Sequence, residues 1–411
     1  MKRAIVPLLF ATLVLVSCGG GGSSSSSSAP ATSGIKQRAF VTNAYANQIV
    51  IVNAANDTVN TTFVSDTSGN VTSALANTIS AGTGAGMMKL SSDKKITLVF
   101  DEGSHAVAVV DNATEAATGL IVLPDFTQSM AISADDKTAY AAVPNVPISG
   151  QPSGGVEVMD IVNFTVPTPL PVAAAHRIVM SHNGGKLLVF SDNSNQVTVI
   201  DLSSQIITPV PGFDHPVWGV FSPDDTIAYI LSCGPECGGS GAKVTVLNLS
   251  NLTLGAGTSV SAATTALLDG NSLYVAGTRF GAGACGQPLC NLGGRLDVID
   301  TGSLSVVKSG VAISDGYHQA VALGNDNRLF IGATTCSNTT QGCLSIYNTS
   351  AQTVAVSQPN GDVTGLAPIP NRHVVYVVEG GELRIYDTTT DAPQKTQIDI
   401  VGRAVDVKFV D

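Results

Sequence analysis

One short pattern is written eight times along this 411-residue chain, and it limits the possible folds more than any other feature. Each copy has an apolar strand centred on an aromatic residue or Leu, then a connection, then a second apolar strand ending in Asp or Asn. The first strands centre on Phe40, Leu98, Tyr140, Leu188, Tyr229, Tyr274, Phe330 and Tyr376. The second strands end at Asn53, Asp111, Asp160, Asp201, Asn248, Asp300, Asn348 and Asp387. A unit of this size cannot bury its own apolar faces, so the copies must pack on one another.

The fifth copy shows the unit in full. Val217-Trp218-Gly219-Val220-Phe221 is an apolar strand. Ser222-Pro223-Asp224-Asp225 follows as a turn, with Pro presetting φ and Asp able to cap locally. Ile227–Leu231 and Lys243–Asn248 are the next two strands, and a weaker fourth follows. Several strands per unit at roughly 40–50 residues predict an all-β chain: a single β-propeller of four-stranded blades, eight by repeat count, over residues 38–411. The Asp or Asn that ends each third strand accepts from backbone N–H groups two residues on, so these carboxylates read as turn formers rather than as acid/base catalysts. The first copy lacks its innermost strand. The alternating segment Ala404–Val410 at the other terminus is expected to supply it, which removes two open sheet edges at once.

Ala39-Phe40-Val41-Thr42-Asn43, followed by Gln48-Ile49-Val50-Ile51-Val52-Asn53, resembles the YVTN β-propeller repeat. The other copies match it more loosely, at their strands and Asp-bearing turns. The resemblance implies a propeller and leaves activity open, because that family includes enzymes and binding proteins alike. Seven blades are common in it. The alternative count of seven would make the long stretch between Phe40 and Leu98 an elaboration of one blade.

The N-terminus carries an address. Lys2 and Arg3 precede an apolar run from Ala4 to Val16, and small residues lead to Cys18. Residues 1–17 read as a signal peptide, too short for a comfortable membrane span. Cys18 resembles the lipid-attachment cysteine of bacterial lipoproteins. Residues 18–37 include runs of Gly and Ser, the composition of a flexible tether. Gly19 after the Cys leans to the outer membrane by resemblance to the sorting rule. The expected partners are therefore a membrane, through the lipid, and a protein or glycan of the envelope. Twenty basic residues face 31 acidic ones, and such a balance gains nothing from phosphate counterion release, so nucleic acid is not expected. The chain is read as a monomer.

Six cysteines follow Cys18, and proximity pairs Cys233 with Cys237, Cys285 with Cys290, and Cys336 with Cys343. Export favours disulfides, and no C-x-x-C spacing points to zinc or covalent haem. Each pair lies in a connection between second and third strands, in copies five, six and seven. Those connections, with residues 144–155 of copy three, form a lopsided rim on one face. Long loops on a rigid scaffold are where binding sites usually lie.

Candidate chemistry is sparse. His176 and His318 occupy matching places at the start of innermost strands, and His215 lies near Trp218, the one Trp. With Tyr317 they make a candidate binding group at the channel mouth. No carboxylate repeats beside the two matched histidines; Asp214 precedes His215 and Asp315 precedes Tyr317, and spacing alone does not place them. No catalytic residue, metal site or cofactor is assigned. Walker-type loops and a G-x-S-x-G elbow are absent. The expected function is a binding scaffold. A lactonase-like hydrolase or metal-dependent enzyme at the channel mouth, drawing on Glu102, Glu379 and the histidines, is the alternative that the family resemblance supplies.

Overall fold

A computed structural model describes residues 32–65, 71–283, 285, 287–337 and 341–411. The signal peptide 1–17, Cys18 and most of the tether lie outside these residues. From Ser33 to Asp411 the chain forms one unit.

Eight four-stranded antiparallel sheets follow one another around a ring. Seven are built from consecutive strands. Blade 4, for example, is Ala175–Met180, Lys186–Ser191, Gln196–Asp201 and Ile206–Pro211 in spatial order. Blade 1 takes its innermost strand, Ala404–Phe409, from the C-terminus, in register Ala39↔Phe409 and Val41↔Val407. The eight-blade count therefore holds. The long stretch between Phe40 and Leu98 holds a separate two-stranded hairpin, Thr61–Ser65 with Val71–Leu75, and the short strand Thr78–Ser80 on the edge of blade 1. It is an elaboration between blades 1 and 2 that leaves both blades complete.

The core lies between blades. Among the described residues there are eight buried apolar clusters, one for each blade-to-blade interface. Alternation explains this. A strand presents Phe40 to one neighbour and Ala39 and Val41 to the other, so each sheet is apolar on both faces. Closure repeats the same chemistry, with Val407 and Ala404 packing against Tyr376 and Ile385 of blade 8.

The turn reading is met in every copy. Asp111 Oδ1 accepts from the N–H groups of Ala113 (2.9 Å) and Thr114 (2.8 Å). Asn53, Asp160, Asp201, Asn248, Asp300, Asn348 and Asp387 do the same two or three residues on. These hydrogen bonds hold Asp201 and Asp387 far below the ordinary carboxylate range, led by Ser203 and Thr389 respectively. At neutral pH these two are ionised turn caps.

Candidate functional site

The cysteines pair as their spacing suggested: Cys233 with Cys237, Cys285 with Cys290, and Cys336 with Cys343, at Cα separations of 6.0, 5.8 and 5.8 Å. The first clips a single 3-10 turn, Gly234–Cys237, onto the end of a blade 5 strand. That turn carries Glu236 against blade 6. Its carboxylate accepts from Thr264 Oγ1 (2.6 Å) and from the Thr278 N–H (3.0 Å) of blade 6. Burial dominates over those two bonds and raises Glu236 to about 6.

Glu236 lines a cavity of about 250 Å³ among blades 4, 5 and 7, with Thr264 of blade 6 on its wall. His176, Arg177 and Asp192 enter from blade 4, His215 from the start of blade 5, and Tyr317 from blade 7. Each histidine is set by a carboxylate. His176 Nδ1 is 2.9 Å from Asp192, while its Nε2 meets Gln128 Oε1 at 3.0 Å. His215 Nδ1 lies 3.1 Å from Asp214. Asp214 also accepts from the Ser240 hydroxyl (2.6 Å) and backbone N–H (2.7 Å), and with Ser240 as the leading cause it is lowered to about 2. A carboxylate on Nδ1 fixes the ring's orientation; among the described residues it leaves Nε2 of His215 open, whereas Nε2 of His176 is engaged by Gln128.

Arg177 closes the inner end. Its Cζ lies 5.1 Å from the Tyr317 ring centre and 5.6 Å from that of Trp218, both within cation–π range. Only 9% of Arg177 is exposed. Among the described residues, no carboxylate pairs with it. Tyr317 is raised above the ordinary phenol range, chiefly by burial; the Arg177 charge works against that shift and Glu236 and Asp192 add to it.

Four of the five residues expected at the channel mouth come together here: His176, His215 and Tyr317 line the cavity and Trp218 flanks Arg177. His318 does not join them. It is 1% exposed, its Nε2 donates to the Ser314 carbonyl at 3.0 Å, and its Nδ1 has no partner. Burial lowers it to about 4, so it is neutral at physiological pH. The matching of His176 with His318 is corrected by register. Each of these innermost strands has a bulge near its start. In blade 4 the bulged residue is His176, between Ala175↔Ser191 and Arg177↔Phe190; in blade 7 it is Gln319, between His318↔Ala333 and Ala320↔Gly332. His318 therefore corresponds to Ala175 and Pro216, both buried, and Tyr317 corresponds to His215. A slip of one residue turns a side chain to the other face.

Arg177, Glu236 and Asp192 carry no signal of their own in the repeat. Glu236 was findable as the one acid inside the shortest cysteine loop, and Arg177 as a lone base in an apolar strand. Glu379 and Glu102 are placed elsewhere. Glu379 is fully buried and accepts from Ser357 (2.7 Å), Asn360 (3.0 Å) and Tyr386 (2.8 Å). It is a structural anchor. Glu102 sits on blade 2, beside Gly86, and does not line the cavity. No grouping of His, Cys, Asp and Glu among the described residues has metal-holding geometry.

No protein-family model and no curated relative matches the sequence. Solved structures match the fold. The dihydro-heme d1 dehydrogenase NirN, solved in complex with DHE, is 12% identical with a TM-score of 0.64, over 93% of this chain and 77% of that one. The Kuenenia stuttgartiensis hydrazine synthase is 15% identical with a TM-score of 0.56, over 75% and 96%. The β-propeller domain of Myceliophteria thermophila Cps50 (Swd1) is 9% identical with a TM-score of 0.52, over 72% and 93%. At such identities the likeness is one of fold alone.

Proposed function

We propose that this chain is an exported propeller of the YVTN type, tethered to the outer membrane through Cys18, that works as a binding scaffold with a small-molecule site in the blade 4–5–7 cavity. One observation carries the reading. The cavity histidines are oriented by carboxylates, His176 by Asp192 and His215 by Asp214, before any ligand arrives. Such preorganisation removes part of the ordering cost of binding. The volume of about 250 Å³ is just under the roughly 300–1,000 Å³ usual for drug-sized ligands, so the occupant is small. Three disulfides fit an oxidising compartment. No helix among the described residues is long and apolar enough to cross a membrane.

A thermal-shift screen of the mature chain against small polar metabolites tests the reading. A ligand at about 100 times its Kd adds about 2.7 kcal/mol, an easily read rise in Tm. The rise should disappear in His176→Ala. If no compound stabilises the protein, or if stabilisation survives both His176→Ala and His215→Ala, the cavity is not the site. A hydrolase is the second reading, favoured by Glu236 at about 6 in the same cavity as the His176–Asp192 pair. That places a proton donor and an oriented imidazole together. Lactone turnover lost in Glu236→Gln would establish it, and unaltered turnover would remove it.

A further inference from the structure

We propose that the cavity takes a small monocarboxylate whose carboxylate pairs with the Arg177 guanidinium; this rests on the cavity being a ligand site.

The argument begins with an imbalance. Arg38, Arg328, Arg372 and Arg384, the other well-enclosed arginines, each have a carboxylate partner. Arg295 donates to the carbonyls of Gly294 and Leu292. Arg177 is more than nine-tenths buried and, among the described residues, has neither an ion pair nor a hydrogen bond. A guanidinium cannot shed its proton to escape this situation, as a buried Lys or His does. The Arg177 nitrogens keep some access to the cavity, but a charge held this deep without a partner is costly, and ring contacts offset only part of that cost. An anion in the cavity completes the group, and the planar donor fork fits a carboxylate with two parallel hydrogen bonds.

The surrounding charges narrow the class. Asp192 and Glu236 also line the cavity, with Asp214 behind His215. With one guanidinium set against two acids, a dianion such as phosphate is opposed about twice as strongly as a monoanion able to sit on the guanidinium itself. Phe190, Pro216 and Val217 offer apolar wall to a short carbon chain. Protonating Glu236 removes one opposing charge, so affinity rises with acidity. The other groups facing the guanidinium across the cavity are Asp192 with His176, His215 with Asp214, and Tyr317. Of these, Asp214 stays ionised and Tyr317 stays neutral throughout the range of the test.

Trp218 is the only tryptophan and stands against the same guanidinium, so its emission reports occupancy. The mature chain is titrated with sodium lactate, sodium butyrate, inorganic phosphate and the neutral ester methyl lactate. Saturable quenching or shift is expected with lactate or butyrate, about tenfold tighter than with phosphate or the ester. Affinity should weaken between pH 5 and pH 7.5, and Glu236→Gln should reduce that weakening; an unchanged pH profile in the variant would remove Glu236 from the site's charge balance. Arg177→Gln should abolish binding, and Arg177→Lys, which keeps the charge and loses the fork, should weaken it about tenfold. Equal binding of methyl lactate, or unchanged affinity in a folded Arg177→Gln or Arg177→Lys protein, overturns the carboxylate while leaving the cavity a ligand site. Silence from the carboxylates with a hit from a neutral compound in the thermal-shift screen has the same meaning. Silence from every compound overturns both proposals.

Discussion

The seam where blades 8, 1 and 2 meet and the cavity among blades 4, 5 and 7 treat charge in opposite ways. At the seam the two enclosed arginines, Arg38 and Arg372, are both met by carboxylates. The Arg38 side chain donates to Asp411 (Nε, 3.0 Å) and to Glu115 (3.1 Å), linking the first strand of the ring to the last residue and to blade 2. Arg372 of blade 8 holds Asp57 of blade 1, which also accepts from the Tyr376 hydroxyl. Asp406, on the closing strand, accepts from the Met88 N–H of blade 2 (2.9 Å) and from Lys408 (2.9 Å). At the cavity Arg177 has no such partner, and Glu236 is buried enough to be pushed up to about 6. Satisfied charges lock a joint. Groups left poised are what a site retains for something else to satisfy.

The comparison breaks most visibly at the closing strand. Deleting Ala404–Asp411 removes the innermost strand of blade 1, opens an edge along Arg38–Asn43 and strips Val407 and Ala404 from the blade 8 cluster. Burial of each large apolar side chain supplies about 1.5–3 kcal/mol, and several are lost together against a total stability of about 5–15 kcal/mol. The expected result is a chain with no cooperative melting transition. A truncated protein that melts normally would show that the seam does not close the ring.

His318 gives the next largest effect, and it is a cavity-side residue by sequence only. Its ordinary value near 6.5 falls to about 4 in the fold. The unfolded chain therefore binds a proton first, and stability that is whole above about 6.5 is lost as pH falls toward about 4, up to about 3 kcal/mol. Replacing His318 with Gln, which keeps a donor for the Ser314 carbonyl, should flatten that acid limb. Urea midpoints between pH 7 and pH 4 read it directly, and an unchanged slope in the variant would place the acid sensitivity elsewhere.

How much of this was legible follows from which interactions repeat. Strand centres such as Tyr140 and Phe330 and turn caps such as Asp111 and Asp201 recur because every blade must solve the same packing and turn problem. Repetition made the eightfold ring and its closure by the C-terminal strand readable. The site is made of what does not repeat. His176 and His318 look equivalent when copies are aligned on their strands, yet a bulge at His176 in one and at Gln319 in the other sends one ring to the cavity and the other into the core. Nothing in the local sequence marks which residue bulges. Arg177 is likewise ordinary as a letter in a strand. Its meaning comes from Tyr317, 140 positions away in the chain and 5.1 Å away in space.

The Cys233–Cys237 bridge tests whether the poise of the cavity depends on its loop. A loop this short contributes about 2 kcal/mol on the chain-entropy model. Replacing both cysteines with Ser should lower stability by about that much. It should also free the turn that holds Glu236, so binding at the cavity should lose part of its pH dependence. The Cys336–Cys343 pair offers the control, since neither residue lines the cavity. Equal effects of the two double variants on ligand affinity would mean that the first loop has no special part in the site.

The smallest effect carries the sharpest sign. Glu236 has an ordinary value near 4.5 and a folded value of about 6, so the native state binds the extra proton between those limits. Its stability contribution is favourable below about 4.5 and is lost as pH rises through about 6, the reverse of His318. Replacing Glu236 with Gln removes the burial cost of the charge while keeping an oxygen for Thr264 or Thr278. The variant should therefore be more stable than the parent at pH 7.5, by about 1 kcal/mol, and indistinguishable at pH 4. A seam carboxylate should behave in the opposite way. Asp57 loses the Arg372 charge interaction on change to Asn, and that variant should be less stable at pH 7.5. Stabilisation at one acid and destabilisation at the other, measured by the same melts, would separate a poised group from a locked one. Destabilisation at both would make Glu236 one more structural anchor, and its place in the cavity would then be incidental.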